Sequence, residues 1–175
     1  MVRQWATTAA RGLIASLATL PTAGGWLWSG AIGAPALLAM AAIGLSTDLY
    51  QAAPADPSLL PMTLLTVFFV PALGEEAVFR GLLSPGPGQT RPWIAIAAST
   101  LLYVLWHPLE GFTFLPGARD LFSRPDFLLV TTLLGLACAL TRWRTGSLWP
   151  AVFLHWAAVV VWKTWLGGPA LESLS

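Results

Sequence analysis

Five apolar segments, each close to the length needed to cross a lipid bilayer, constrain the fold of this chain more than any other feature. An α-helix of about 20 residues spans the hydrocarbon layer, and only short loops separate the segments. The pattern predicts an all-α, polytopic membrane helix bundle of five spans. The segments lie near residues 26–45, 59–83, 92–109, 126–141 and 147–166.

The composition agrees with a membrane protein and excludes several other classes. Of 175 residues, 56% are hydrophobic and 10% are charged, whereas a soluble domain carries about 25% charged residues. The net charge of +1 argues against nucleic acid as a partner. Because no repeat or linker divides the chain, we expect a single membrane domain over residues 1–175, surrounded by lipid.

The first apolar stretch, residues 3–20, is more ambiguous than the five segments. It contains Arg11 and is followed by the helix-breaking residues Pro21, Gly24 and Gly25. We predict an interfacial N-terminal helix, with a sixth span as the alternative.

The arginines of the short loops predict the orientation of the bundle. Cytoplasmic loops carry an excess of lysine and arginine. Arg91 lies between the second and third segments, and Arg142 and Arg144 lie between the fourth and fifth. Five spans therefore place these loops and the N terminus, with Arg3 and Arg11, on the cytoplasmic side of what we expect to be a bacterial-type membrane.

The stretch "GEEAVFRG" (74–81) places three charges at the end of the second apolar segment. A charge in the bilayer centre costs about 2.5–3.5 kcal/mol, so such residues usually have a function or a partner. Glu76 and Arg80 are four residues apart, which predicts an ion pair on one helix face. Glu75 is left without a partner, rotated from Glu76 by about 100° in an α-helix.

The chain has two histidines, His107 and His155, and both lie in apolar helices. Glu75 lies eight residues before Leu83 and His155 eight residues after Ser147, so each is about 12 Å from the cytoplasmic end of its helix. His107 lies about 22 Å along its own helix by the same rise, which fits less well. We nevertheless predict that Glu75 and the two histidines line one cavity.

Three motifs resemble the CAAX protease and bacteriocin-processing family of intramembrane endopeptidases. "EEAVFRG" resembles the EExxxR motif of the family, and "YVLWH" resembles its second motif, with Tyr103 four residues before His107. "TGSLWPAVFLH", which ends at His155, is similar to the third. The order and spacing of the motifs indicate a family-like catalytic core at about residues 59–166.

The resemblance implies roles for five residues. Glu75 would be the general base that activates a water molecule. His107 and His155 would position that water or bind the oxyanion. Glu76 and Arg80 would fix the helix and the protonation state of Glu75.

The residue types leave the use of a metal open. Glu75, His107 and His155 could hold Zn²⁺ with water as the fourth ligand, although the HExxH motif of many metalloproteases is absent from the sequence. A glutamate mechanism without metal is equally compatible with the same side chains.

One position departs from the family pattern. The family usually has asparagine or a similar polar residue four positions after the last histidine, and this chain has Val159. The resemblance assigns that position a share in holding the site or in stabilising the oxyanion. Backbone amides, Arg80 or the hydroxyl of Tyr103 are candidate substitutes.

The predicted function is hydrolysis of a peptide bond in a membrane-associated protein or peptide. One alternative is a non-catalytic family member that binds a membrane partner as a scaffold, which Val159 favours. Another is a transporter or proton relay built on Glu75. Transporters commonly have repeat halves or paired broken helices, and the sequence shows neither.

Overall fold

The computed structural model describes residues 2–84, 86–89 and 91–169, with side chains from residue 7 onward. These residues form helices and contain no strand other than an isolated bridge between Ala53 and Leu166. The predicted all-α class is therefore confirmed. The helices are α1 (Val2–Ala18), α2 (Ala23–Ser46), α3 (Pro57–Leu82), α4 (Pro92–Thr113), α5 (Arg119–Phe122), α6 (Pro125–Thr145) and α7 (Trp149–Trp165).

Four helices, α2, α3, α4 and α6, are long and apolar enough to cross a membrane. Helix α7, which corresponds to the fifth predicted span, has 17 residues and is therefore about 25 Å long. Helix α1 also has 17 residues and is not among the four. The count of five spans and the interfacial position of α1 stay predictions.

The outer surfaces of these helices are apolar, as an integral membrane protein requires. In water such a surface would mark an interaction site or cause aggregation, whereas in a bilayer it contacts lipid. The large apolar side chains exposed on α2, α3 and α4 include Leu27, Leu38, Leu65, Phe69, Ile94, Leu101 and Leu105.

Helix α6 is the centre of the bundle. More than half of its apolar stretch, 56%, is buried inside the protein, against 11% for α3. It packs against α2, α4 and α7. Pro125 begins α6 where no N–H is needed, and Gly146 ends it in the left-handed conformation with φ of 71°. These two residues fix the ends of the helix against which the site is built.

Helix α3 is wound more widely than the sequence pattern predicts. It is α-helical over Leu60–Val67 and π-helical over Phe68–Glu75 and Ala77–Leu82. Pro71 lies inside the first π segment, where its ring and missing N–H disfavour regular α winding. The rotation of about 100° expected between Glu75 and Glu76 for an α-helix therefore does not apply to this turn. Such π segments are frequent at functional sites.

Helix α1 joins the ends of α3 and α7. The N–H of Leu148 and the indole of Trp149, at the start of α7, donate hydrogen bonds of 3.0 Å to the carbonyl oxygens of Ser16 and Leu17. The side chain of Leu13 lies directly over Gly81 of α3. The N-terminal helix thus helps to hold together two of the helices that carry the site.

Candidate active site

Glu76 and Arg80 form a fully buried ion pair, as their spacing predicts. Arg80 Nε lies 3.3 Å from Glu76 Oε2, and both side chains are 0% exposed. Arg80 Nη2 also donates a hydrogen bond of 2.9 Å to the carbonyl oxygen of Gly135 on α6. The guanidinium group lies 4.1 Å from the centre of the Tyr103 ring, a cation–π arrangement. The arginine therefore connects α3, α4 and α6.

Glu76 also orients His155, a role that the sequence analysis does not give it. The distance from His155 Nδ1 to Glu76 Oε1 is 2.9 Å. Since an ionised carboxylate only accepts hydrogen bonds, Nδ1 is the protonated nitrogen of the ring. The other nitrogen, Nε2, lies 3.5 Å from the hydroxyl oxygen of Tyr103. A carboxylate that holds one ring nitrogen in this way fixes both the tautomer and the direction of the other.

His107 is held by its own helix and by aromatic rings. Its Nδ1 donates a hydrogen bond of 2.9 Å to the carbonyl oxygen of Tyr103, one turn earlier. The rings of Phe122 and Phe127 each lie 5.4 Å from the imidazole, centre to centre. The side chain is 8% exposed. Because Nδ1 carries the proton, Nε2 of the neutral ring is free to accept a hydrogen bond.

A cavity of about 160 Å³ brings the predicted residues Glu75, His107 and His155 together. They come from three helices, α3, α4 and α7. Glu75 Oε2 is buried and has no hydrogen-bond partner within the described part of the chain. The other residues that line the cavity are Met40, Tyr50, Val70, Pro71, Tyr103, Glu110, Leu115, Phe122, Phe127, Val130, Thr131, Leu134, Ala158, Val159, Trp162, Lys163 and Pro169.

The cavity wall separates the five predicted residues into two groups. Glu75, His107 and His155 face the cavity, whereas Glu76 and Arg80 do not. Val159 also faces it, as its position one turn beyond His155 predicts. Of the two side chains considered as substitute donors, Tyr103 lines the cavity and Arg80 does not. Of these two donors, only the hydroxyl of Tyr103 therefore belongs to the cavity that Val159 lines.

Glu110 is the residue that the sequence analysis misses. The third segment is predicted to end at residue 109, with Glu110 in the following loop, but α4 continues to Thr113. Glu110 therefore lies three residues after His107 on the same helix, on a neighbouring face, and lines the cavity. The spacing of three residues from His107 is the signal that could have identified it.

The donor set is not arranged as a ready metal site. Among the residues that the structure describes, no group of three or more histidine, cysteine, aspartate or glutamate side chains could hold a metal ion. The Nδ1 atoms of His155 and His107 are both engaged in hydrogen bonds, so either ring would bind a metal through Nε2. Zinc bound by Glu75, His107 and His155 stays a prediction, and no step proposed below involves a metal.

The fold and the cavity define a class: a helical membrane protein with a glutamate and two histidines from three helices around one cavity. The family model described as type II CAAX prenyl endopeptidase, Rce1-like, matches residues 57–161, which is more than half of the chain. The protein therefore belongs to the Rce1-like family, which confirms the resemblance seen in its motifs. No curated protein and no solved structure matches the chain.

Proposed function

We propose that this protein is an intramembrane endopeptidase that hydrolyses a peptide bond in a membrane-associated protein or peptide, with water activated by Glu75. One observation carries the proposal. Glu75 has a buried carboxylate oxygen without a hydrogen-bond partner among the described residues, and it faces the same cavity as His107 and His155. A water molecule in that cavity would have a base on one side and imidazole nitrogens on the other.

The reaction begins with the transfer of a proton from water to Glu75. Nε2 of His107 accepts a hydrogen bond from the same water and directs its oxygen towards the scissile carbonyl carbon. As the carbon–oxygen bond forms, negative charge develops on the carbonyl oxygen, and donors pointed at that oxygen stabilise it. The hydroxyl of Tyr103, which lines the cavity, is the donor that we assign to this oxygen.

The second step breaks the carbon–nitrogen bond. Glu75 returns its proton to the leaving amine nitrogen, so the carboxylate ends in the state in which it began. Glu76 and Arg80 take no part in these transfers. Glu76 holds the tautomer of His155 through Nδ1, and Arg80 compensates the charge of Glu76 at 3.3 Å.

Substitution of Glu75 by glutamine tests the proposal. The amide keeps the shape of the side chain but cannot accept the proton, so we expect cleavage of reconstituted membrane peptides to fall by about 10²–10⁴-fold. The melting temperature in detergent should not fall. The matched control is Asp120→Asn, which removes an exposed carboxylate on α5 and should leave cleavage unchanged.

Two other outcomes would overturn the proposal. Equal cleavage by the wild type and Glu75→Gln would remove Glu75 from the mechanism. If the wild type cleaves no membrane peptide and Glu75→Gln keeps the cellular phenotype, the protein is a binding or scaffold member of the family. Chelation of metal ions from the active wild type, with loss and recovery of cleavage on adding Zn²⁺, would show a metal at the site.

We also propose that the bundle crosses the membrane five times with its N terminus in the cytoplasm. The basis is the loop arginines Arg91, Arg142 and Arg144 and the positive-inside rule. In this arrangement the C terminus lies on the opposite side from the N terminus. A reporter tag at each end, probed by a reagent that does not cross the membrane, should label the C terminus only. Labelling of both ends or neither would show an even number of spans.

A further inference from the structure

Glu110 is a second carboxylate in the cavity, and the proposed mechanism uses only the carboxylate of Glu75. Its side chain is half-buried and lines the same cavity as Glu75. The indole of Trp106 lies near the Glu110 carboxylate, but an indole carries no charge. In a cavity with mostly apolar walls, two carboxylates that form no ion pair among the described residues are unfavourable, and a bound cation would relieve their repulsion.

The nearby cations of the protein are engaged elsewhere. The backbone of Arg119 lies next to Gly111 of α4. Its guanidinium group is engaged with the Phe112 ring, 4.5 Å from the ring centre. The ammonium group of Lys163 donates a hydrogen bond to the carbonyl oxygen of Pro169. No ion pair to Glu110 occurs among the residues described. The charge of Glu110 is therefore available to a ligand.

The surroundings of Glu110 specify the chemistry of that ligand. Much of the cavity wall is aromatic and aliphatic, and the rings of Phe122 and Phe127 in it stack with their centres 5.0 Å apart. A long apolar stem with a cationic end fits such a cavity, because the stem can contact the rings while the charge reaches the carboxylate. Lysine and arginine side chains have this structure.

The spacing along α4 predicts how far a basic side chain bound to Glu110 lies from the scissile bond of a bound peptide. Glu110 lies three residues from His107, a rise of about 4.5 Å along the helix. An extended peptide advances about 3.3 Å per residue, so a side chain that reaches Glu110 lies one to two residues from a scissile bond held at His107.

We propose that Glu110 is a specificity-determining residue that selects a peptide with lysine or arginine one to two residues from the scissile bond. The position relative to that bond rests on the proposed endopeptidase function. Binding of the basic side chain to Glu110 does not depend on cleavage.

The experiment is a binding measurement on the full chain in detergent micelles. The probes are dye-labelled apolar peptides that each carry one lysine at successive positions, paired with the same peptide carrying norleucine, which has the stem without the charge. For at least one position we expect the wild type to bind the lysine peptide about tenfold more tightly, which corresponds to one favourable charge pair. Glu110→Gln should remove this difference and leave the affinity for norleucine unchanged.

The control variant is again Asp120→Asn, which should keep the full preference for lysine. A Glu110→Asp variant should keep part of it, because the charge is retained on a shorter side chain. Equal binding of lysine and norleucine peptides by the wild type at every position, or no binding of either, overturns the proposal. A lysine preference that persists in Glu110→Gln also overturns it.

Cleavage of the same peptide set separates this proposal from the proposed function. If peptides are cut, the lysine that improves binding should lie one to two residues from the cut, and a larger separation contradicts the predicted position. If no peptide is cut but Glu110→Gln loses the lysine preference, the endopeptidase function fails while the selection of a cation by Glu110 stands.

Discussion

Glu75 and Glu76 are neighbours in the chain but lie in opposite environments. The side chain of Glu76 is 0% exposed and is paired with Arg80 and hydrogen-bonded to His155. The side chain of Glu75 faces a cavity, and one of its oxygens has no hydrogen-bond partner in the part of the chain that the structure describes. One carboxylate is thus part of a sealed cluster of charges, and the other is directed towards whatever enters the cavity.

One short motif can therefore contribute to both the structure and the chemistry of the site. A buried charge is tolerated when a partner compensates it, and removal of that partner is strongly unfavourable. Glu76 meets this condition inside the protein. Glu75 does not, so it depends on water or substrate. Glu75 and Glu76, which differ in this way, lie where the π-helical segments Phe68–Glu75 and Ala77–Leu82 of α3 meet.

The largest effect should follow from breaking the sealed cluster. Arg80→Met leaves the carboxylate of Glu76 buried without its cation, and we expect the free energy of unfolding to fall by about 3–5 kcal/mol. Thermal unfolding in detergent measures this loss. The double variant Glu76→Gln/Arg80→Met removes both charges and should recover much of the stability. A melting temperature unchanged by Arg80→Met would contradict the view that the pair is structural.

The substitution Val159→Asn tests the chemistry of the cavity that Glu75 faces. Val159 lines the cavity beside His155, and asparagine at this position could donate a hydrogen bond to the oxyanion. A single such donor is typically worth about 10²–10³ in rate, so we expect Val159→Asn to raise the rate of cleavage towards that limit. Turnover of a reconstituted membrane peptide measures the change.

The Tyr103→Phe background provides the control for this substitution. If the hydroxyl of Tyr103 is the donor that replaces asparagine, its loss should slow the wild type more than it slows Val159→Asn. An equal loss in both backgrounds would show that Tyr103 does not fill this role. Unchanged activity of Val159→Asn would show that position 159 has no part in oxyanion stabilisation.

The smallest effect should come from a substitution at Gly135, which packs between Arg80 of the buried charge cluster and Tyr103 of the cavity wall. A Cβ atom at Gly135 would lie 2.9 Å from Tyr103 Cδ1 and 3.0 Å from Arg80 Nη2. Gly135→Ala should therefore destabilise the protein by about 1–3 kcal/mol through overpacking. Gly30→Ala is the matched control, since nothing lies within 4 Å of a Cβ at that position on α2, and it should be neutral or slightly stabilising. Equal melting temperatures for the two variants would contradict close packing at Gly135.

Much of the fold and part of the site can be predicted from the sequence. Apolar segments identify membrane helices because hydrophobicity is a local property of each segment. The pair of Glu76 and Arg80 is also local, since the helical repeat brings residues four apart together. The position of Val159 beside His155 follows from the same repeat. These predictions need no knowledge of how the helices pack.

Other features of the site could not be predicted from local pattern. The hydrogen bond between Glu76 and His155 joins residues 79 positions apart in the sequence, so it depends on how α3 and α7 pack. The sequence predicts that the third segment ends at residue 109, because Pro108 and Glu110 are not typical of a continuing apolar helix, whereas α4 ends at Thr113. That error removed Glu110 from the expected site.

The sequence by itself determined that this protein is a helical membrane protein and which few side chains are too polar to lie in lipid without a reason. Local hydrophobicity and helical spacing are sufficient for both. Which of those side chains are sealed and which face the cavity depends on how the helices pack. Neighbours on one helix differ in this respect because burial and hydrogen bonding depend on the partners that α4, α6 and α7 bring from distant parts of the chain.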